Sequence, residues 1–207
     1  MPSRQLAGDD KAVRAEDPRR RFLEAAEEIF RKGGLKKLTF DAVASKLGVS
    51  KQAVIHWYPT KSHLIGALLV PALREEAEAV ITACQEVPGR KSLRDGLTAL
   101  ATFHLGDLER FRMIYLAPQA GGISLGSNVD ISAQIHQTTS AMYHALAGCI
   151  PDRPPEQSRL EAASLHAAVI GVVTMVALGE GVGDPMKYGG MEQARCLIDR
   201  ICPDPQP

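Results

Sequence analysis

The segment from Thr39 to Lys61, TFDAVASKLGVSKQAVIHWYPTK, constrains the fold most, because it fits two short helices joined by a tight turn and opening onto a third. Thr39 is a good N-cap, and Phe40, Val43, Ala44 and Leu47 fall on one face at helical spacing. Gly48 ends that helix, since glycine takes the left-handed backbone without a Cβ penalty. Val49 is then expected to plug the core beneath the turn. Ser50 caps the second helix, roughly Ser50 to Trp57, which turns Val54 and Trp57 inward and leaves Lys51, Gln52, Ala53 and His56 facing solvent. Ala44 suits the steep helix crossing, where a larger side chain would force the pair apart.

This layout is that of a helix-turn-helix DNA reader. Lysine meets phosphate, glutamine bonds the adenine edge in two places, and alanine touches a thymine methyl, all near the N-terminus of the helix that docks in the groove. The expected DNA-binding set is Thr39, Ser50, Lys51, Gln52, Ala53, His56, Trp57, Tyr58 and Lys61. Within it, Thr39, Lys51, Lys61 and Tyr58 serve phosphate, Gln52, Ala53 and His56 serve bases, and Trp57 is chiefly structural. The overall charge of zero hides a division: residues 1–61 hold 13 Lys/Arg against 8 Asp/Glu, and residues 62–207 hold 11 against 16. The basic part is the part with the reader, as salt-dependent attraction to phosphate requires.

The stretch from Arg20 to Leu64 resembles the DNA-binding domain of the TetR/AcrR family of bacterial repressors. The resemblance rests on RFLEAAEEIFRKGG, Thr39, the A-x-x-x-G-V-S run from Ala44 to Ser50, and the aromatic-rich close ending in Pro59, Thr60 and Lys61. It implies an all-α protein with an N-terminal three-helix reader, a dimer built from the last two long helices, and a ligand pocket in the C-terminal domain. Two positions depart from the family pattern. Gln52 stands where a small residue or glycine is usual, and Ile55 where the family carries a phosphate-contacting tyrosine. Ile55 cannot donate to phosphate, so that contact falls to His56, Trp57 or Tyr58.

From Pro18 onward the chain reads as helices almost throughout, about nine of them, with no hairpin signal. The expected division is a disordered arm over 1–17, the helix-turn-helix domain over 18–62, and a helical effector-binding and dimerisation domain over 63–207. A long helix from Lys61 to about Glu86 should bend at Pro71. The linker VPGRK follows, then helices over Ser92 to about Gly106 and Asp107 to Leu116. PQAGGISLGSN is expected to be an irregular loop, a helix follows from Asp130 to Cys149, and IPDRPPEQ is a proline-marked linker. The last helices span Pro155 to about Gly179 and about Gly190 to Cys202.

The run Ala162 to Leu178, AASLHAAVIGVVTMVAL, is seventeen residues without a formal charge. A membrane span needs about twenty such residues with basic or aromatic flanks, and Glu161 and Glu180 edge this one, so it reads as a helix buried on all sides. Ala163, Ala167 and Gly171 at four-residue spacing admit a close second helix, and covering that face is easiest across a two-fold axis. The expected homodimer interface is Ala163, Ala167, Ile170, Gly171, Thr174 and Leu178, with Leu197 and Ile201 from the final helix.

No catalytic constellation stands out. GEGVG at Gly179 to Gly183 follows a helix rather than a strand and reads as a helix terminator. The histidines lack two-ligand spacing, so no metal and no cofactor are expected. Phe103, His104, Phe111, Met113, Tyr115, His136, Met142, Tyr143, His166 and Met175 are the candidate walls of a site for a largely apolar small-molecule effector. Cys84, Cys149, Cys196 and Cys202 lack paired spacing, and no secretory signal precedes them, which suits free thiols in the cytoplasm. The expected protein is a ligand-responsive homodimeric repressor on a palindromic DNA operator. The alternative is a helical small-molecule binder or enzyme whose N-terminal bundle is merely structural.

Overall fold

The computed structural model describes residues 17–85, 92–120, 125–183 and 188–202, and among them the chain is helical with no strand. The expected arm therefore lies outside the described residues apart from Asp17, and so does the VPGRK linker. Helix α1 (Pro18–Lys37) starts where Pro18 follows Asp17, whose carboxylate accepts from the Arg19 amide at 3.0 Å. Helices α2 (Phe40–Leu47) and α3 (Lys51–Trp57) follow, each opened by a hydroxyl cap: Thr39 accepts from Ala42 N at 3.1 Å, and Ser50 from Ala53 N at 3.2 Å. Gly48 closes α2 in the left-handed region, with φ 65°, as the turn requires.

The reader's core gathers Phe22, Ala26, Phe30, Leu38, Val43, Val54, Tyr58 and Leu64. Val49 is not part of the plug, being 39% exposed. Leu38, just before α2, is buried instead and fills the space under the pair. Trp57 is half-buried rather than turned fully inward.

Helix α4 (Lys61–Gln85) joins two cores. Leu64, Ile65, Leu68, Leu69, Ala72 and Leu73 belong to the reader's core, and Ala77, Val80 and Cys84 belong to a second one with Leu97, Leu100, Leu146, Val169 and Ile198. The helix continues unbroken through Pro71, which faces outward. Against α4 pack α5 (Leu93–Leu105) and α8 (Val129–Ala147); α9 (Pro155–Val182) packs on α5 and α8, and α10 (Gly190–Ile201) on α5 and α9. Between α5 and α8 the chain winds through α6 (Leu108–Phe111), a π turn (Arg112–Leu116) and α7 (Ala117–Ala120). The expected loop over 118–128 is thus partly helical: 118–120 extend α7, Leu125–Ser127 form a 3-10 turn, and 121–124 lie outside the described residues. Helix α9 reaches Val182, with Gly183 as its left-handed cap, three residues beyond the expected end.

Helix α9 is not wrapped on every side. It buries Ala162, His166, Val169, Val173 and Ala177, while Leu160, Met175, Leu178 and Val182 are 70, 61, 52 and 80% exposed. By length and composition it is apolar enough to cross a membrane, but its inner face is a packed part of the second core.

Candidate functional site

The surface that α2 and α3 build is short, capped and held from behind. Val54 and Tyr58 anchor α3 in the reader's core, and Ala53 and Ile55 are half-buried, so Lys51, Gln52 and His56 remain as the projecting side chains. The Thr39 and Ser50 oxygens accept from backbone amides, and each hydroxyl hydrogen stays available to a phosphate. Lys51 pairs with Asp41 at 2.8 Å, both being well exposed. A surface pair of this kind contributes only about 0–1 kcal/mol, so Lys51 can leave Asp41 at little cost.

Three members of the expected set are fastened rather than free. Tyr58 is buried, and its hydroxyl donates to the Arg19 carbonyl at 3.3 Å. Trp57 lies beneath the Arg19 guanidinium, 4.9 Å from the ring centroid, with His56 edge-on at 5.4 Å. The half-buried Lys61 ammonium donates to the Leu35 carbonyl at 3.2 Å, near the negative end of α1. Of the three substitutes for the missing tyrosine at position 55, only His56 projects.

The reader is tied to the rest by a two-pronged ion pair. Arg31 of α1 donates to both Asp107 oxygens, at 3.1 and 2.8 Å, and Asp107 also caps α6 by accepting from the Arg110 amide at 2.9 Å. The Arg31 hydrogen bonds hold the Asp107 carboxyl below its ordinary range. Arg110 in turn reaches Glu75 of α4 at 3.3 Å, so α1, α4 and α6 share one charged junction.

Inside the second part, four of the ten expected effector-wall residues converge on a residue that sequence reasoning missed, Glu76 of α4. Tyr115 donates to Glu76 Oε1 at 2.7 Å, His166 Nε2 lies 3.4 Å from the same oxygen, and His104 Nε2 lies 3.5 Å from Oε2. Tyr143 reaches His166 Nδ1 at 3.3 Å. Glu76 and His104 are 1% and 0% exposed. At 3.5 Å the His104 pair lies at the edge of hydrogen bonding, and neither His104 nitrogen nor Glu76 Oε2 completes a bond. Burial raises the Glu76 carboxyl, but His104, His166 and Tyr115 outweigh burial and hold it at about 2. The sequence signal was present: Leu69, Leu73, Glu76 and Val80 share one helical stripe, and a lone acid on an apolar stripe needs partners.

The other expected walls are dispersed. Phe111 stacks on Tyr115 with centroids 5.2 Å apart, and Phe103 sits edge-on to His104 at 5.1 Å. Met113 packs in the reader's core and Met142 in the second core. His136 and Met175 stand on the outer surface, away from the cluster, because each lies on the solvent side of its helix. Of the expected dimer residues, Ala167, Gly171 and Leu178 are exposed along α9, Ala163 and Thr174 are half-buried beside them, and Ile170, Leu197 and Ile201 turn partly into the second core. Among the described residues none of the four cysteines forms a disulfide.

Residues 22–68 match the family profile described as bacterial regulatory proteins, tetR family. Over 165 residues the chain is 26% identical to the HTH-type transcriptional repressor KstR of Rhodococcus jostii, covering 79% of this chain and 74% of that protein. The fold is similar to that of the transcriptional regulator FadR from Bacillus subtilis, with a TM-score of 0.64 at 13% identity over 90% of this chain and 99% of that one. It is also similar to the TetR family transcriptional regulator PfmR from Thermus thermophilus, with a TM-score of 0.57 at 19% identity over 87% and 96%. The exposed, capped helix α3 thus lies within the residues that match the tetR family profile, on a helical scaffold similar in fold to those regulators.

Proposed function

We propose that the protein is a cytoplasmic, homodimeric repressor that binds a palindromic DNA operator through two copies of α3 and releases it when a small molecule binds among α4, α5, α8 and α9. The observation that carries this reading is the face of α3. Lys51, Gln52 and His56 project from a helix whose opposite side is locked into the core, which suits a reader inserted into a major groove. The chain divides along α4, with the reader over 18–62 and the effector-binding and dimerisation part over 63–207. KstR, the similar protein from Rhodococcus jostii, is a repressor, and the FadR structure is a complex with stearoyl-CoA, which favours repression and an effector with a large apolar part.

Dimerisation runs along the outer stripe of α9, from Leu160 through Ala167 and Gly171 to Leu178 and Val182. That stripe is long, apolar and uncovered within the protomer. A two-fold axis there sets the recognition helices about 34–36 Å apart, one turn of DNA. The effector acts through the Arg31–Asp107 junction and α4, which connect the buried cluster to the reader. Only a difference in effector affinity between the DNA-competent and released conformations moves the equilibrium.

The test is selection of bound fragments from the native genome, followed by titration of operator variants. Gln52→Ala is expected to weaken binding at one base position by about 1–3 kcal/mol. Lys51→Ala is expected to weaken all duplexes to a similar degree. Equal losses across every operator variant for both substitutions would refute the division between base and phosphate contacts.

A further inference from the structure

The Glu76 cluster is more polar than a helical core requires, and it is incompletely bonded. Glu76 Oε2 and both ring nitrogens of His104 are buried with no hydrogen-bond partner. Leaving such a group unpaired in the core is unfavourable, and more so where a charge is involved. Among the described residues the ion-pairing partners within reach of Glu76 are two histidines, His104 and His166, and no lysine or arginine pairs with it. The carboxylate is therefore paired with groups that carry positive charge only when they hold an extra proton.

The surroundings are aromatic. Tyr115 lies between Glu76 and the Phe111 ring, which stacks on it, and His104 meets both rings edge-on at 5.3 and 5.4 Å. Tyr143 meets His166 in the same way at 5.3 Å. Ring faces attract cations and ring edges do not repel carboxylates, so a carboxylate in this setting is complementary to a positive, apolar-bodied guest. Among the described residues no three His, Cys, Asp or Glu side chains are grouped to hold a metal ion, which leaves an organic donor.

A groove on the surface shares Tyr143 with the cluster. A groove of about 550 Å³ runs between α8 and α9, lined by Ser140, Ala141, Tyr143, His144, Arg159 and Ala163. Its volume lies within the usual small-molecule range of about 300–1,000 Å³. Tyr143 belongs to both features: its side chain lines the groove, and its hydroxyl meets His166. Arg159 and His144 at the groove leave Glu76 as the favourable place for a positive group.

We propose that the Glu76 cluster binds the protonated amine of a small molecule whose remaining body is apolar and lies toward the groove between α8 and α9. The amine donates to Glu76 Oε2, His104 accepts a second hydrogen bond from it, and the Tyr115 and Tyr143 rings bound the site. This assignment rests on the reading of residues 63–207 as the effector-binding part and specifies the chemical class of the effector.

The test uses the full chain and three probes of matched body, 4-phenylbutylamine, 4-phenylbutanol and 4-phenylbutyrate, titrated by calorimetry against wild type and Glu76→Gln. The amine is expected to bind at least about ten-fold tighter than the alcohol or the carboxylate, and Glu76→Gln is expected to remove that preference. If Glu76→Gln fails to fold, the ranking of the three probes on wild type decides alone. No amine binding, equal binding of the alcohol or carboxylate, or amine affinity unchanged in folded Glu76→Gln overturns the proposal. Duplex binding measured beside each titration separates this proposal from the broader reading. A carboxylate or alcohol that binds and weakens duplex affinity leaves the effector-binding reading standing while this one falls. Amine binding that leaves duplex affinity unchanged keeps the site and removes its regulatory role.

Discussion

Replacing Gly171 with glutamate is expected to leave the protomer folded, convert the proposed homodimer to monomer, and lower operator affinity by about 10²–10⁴-fold, because two linked half-site contacts become one. Gly171 lies mid-helix on the exposed side of α9, and a Cβ built there meets nothing within 4 Å. The protomer thus has no need of a glycine at this point. Alanine would favour the helix by about 1 kcal/mol. A second α9 crossing at this position would need the space, and a carboxylate placed between two apolar stripes cannot be solvated. Sedimentation equilibrium and duplex titration measure the two effects together. A Gly171→Glu protein that stays dimeric with wild-type affinity would place the interface elsewhere.

Truncating Phe111 is expected to be the most damaging single change to stability. Its ring is 0% exposed, packs against Val173 and Ala177 of α9 beside Leu105 and Leu108, and stacks on Tyr115. Phe111→Ala removes that packing and leaves a hole the helices can only partly close, at about 3–5 kcal/mol. Domains of this stability class have about 5–15 kcal/mol in all, so roughly a fifth or more of the margin is lost. At about 2–4 °C per kcal/mol for a chain of this size, the melting temperature falls by about 6–20 °C. His136→Ala, on the exposed side of α8, is expected to stay within about 0.5 kcal/mol of wild type. Thermal unfolding followed by circular dichroism compares the two, and equal effects would contradict the placement of Phe111 at the centre of its cluster.

Local rules carried the reader. Thr39, Gly48 and Ser50 act where their side chains and backbone preferences put them, because caps and left-handed turns depend on neighbours within four residues. Val49 departs from its expected burial for a different reason, and Tyr58 is turned into the core. Whether a residue after a turn points in or out depends on what else fills the space, and there Leu38 occupied it while Tyr58 found the Arg19 carbonyl. The helices of the second part were legible from period and punctuation, except where the π turn over 112–116 carried helix into a stretch rich in proline and glycine. Helix α9 shows the limit of composition alone: Ala162 to Leu178 lacks charge on every side, yet only one face meets the protomer, because an uncharged helix does not reveal whether its second partner is the same chain or a copy. The expected effector-wall residues stand out in the sequence only as a chemical set, and their arrangement depends on pairings 39 to 90 positions apart, Glu76 with Tyr115 and with His166. Spacing along the chain carries no record of such pairings.

The central claim is that α3 reads DNA with Lys51 on phosphate. Its most direct test is the affinity of the full chain for its selected operator between about 50 and 200 mM salt, for wild type and Lys51→Ala. The account predicts a steep linear fall of log affinity with log salt for wild type, and a slope shallower by about one for Lys51→Ala. Binding that ignores salt, or a slope that Lys51→Ala leaves unchanged, would contradict it.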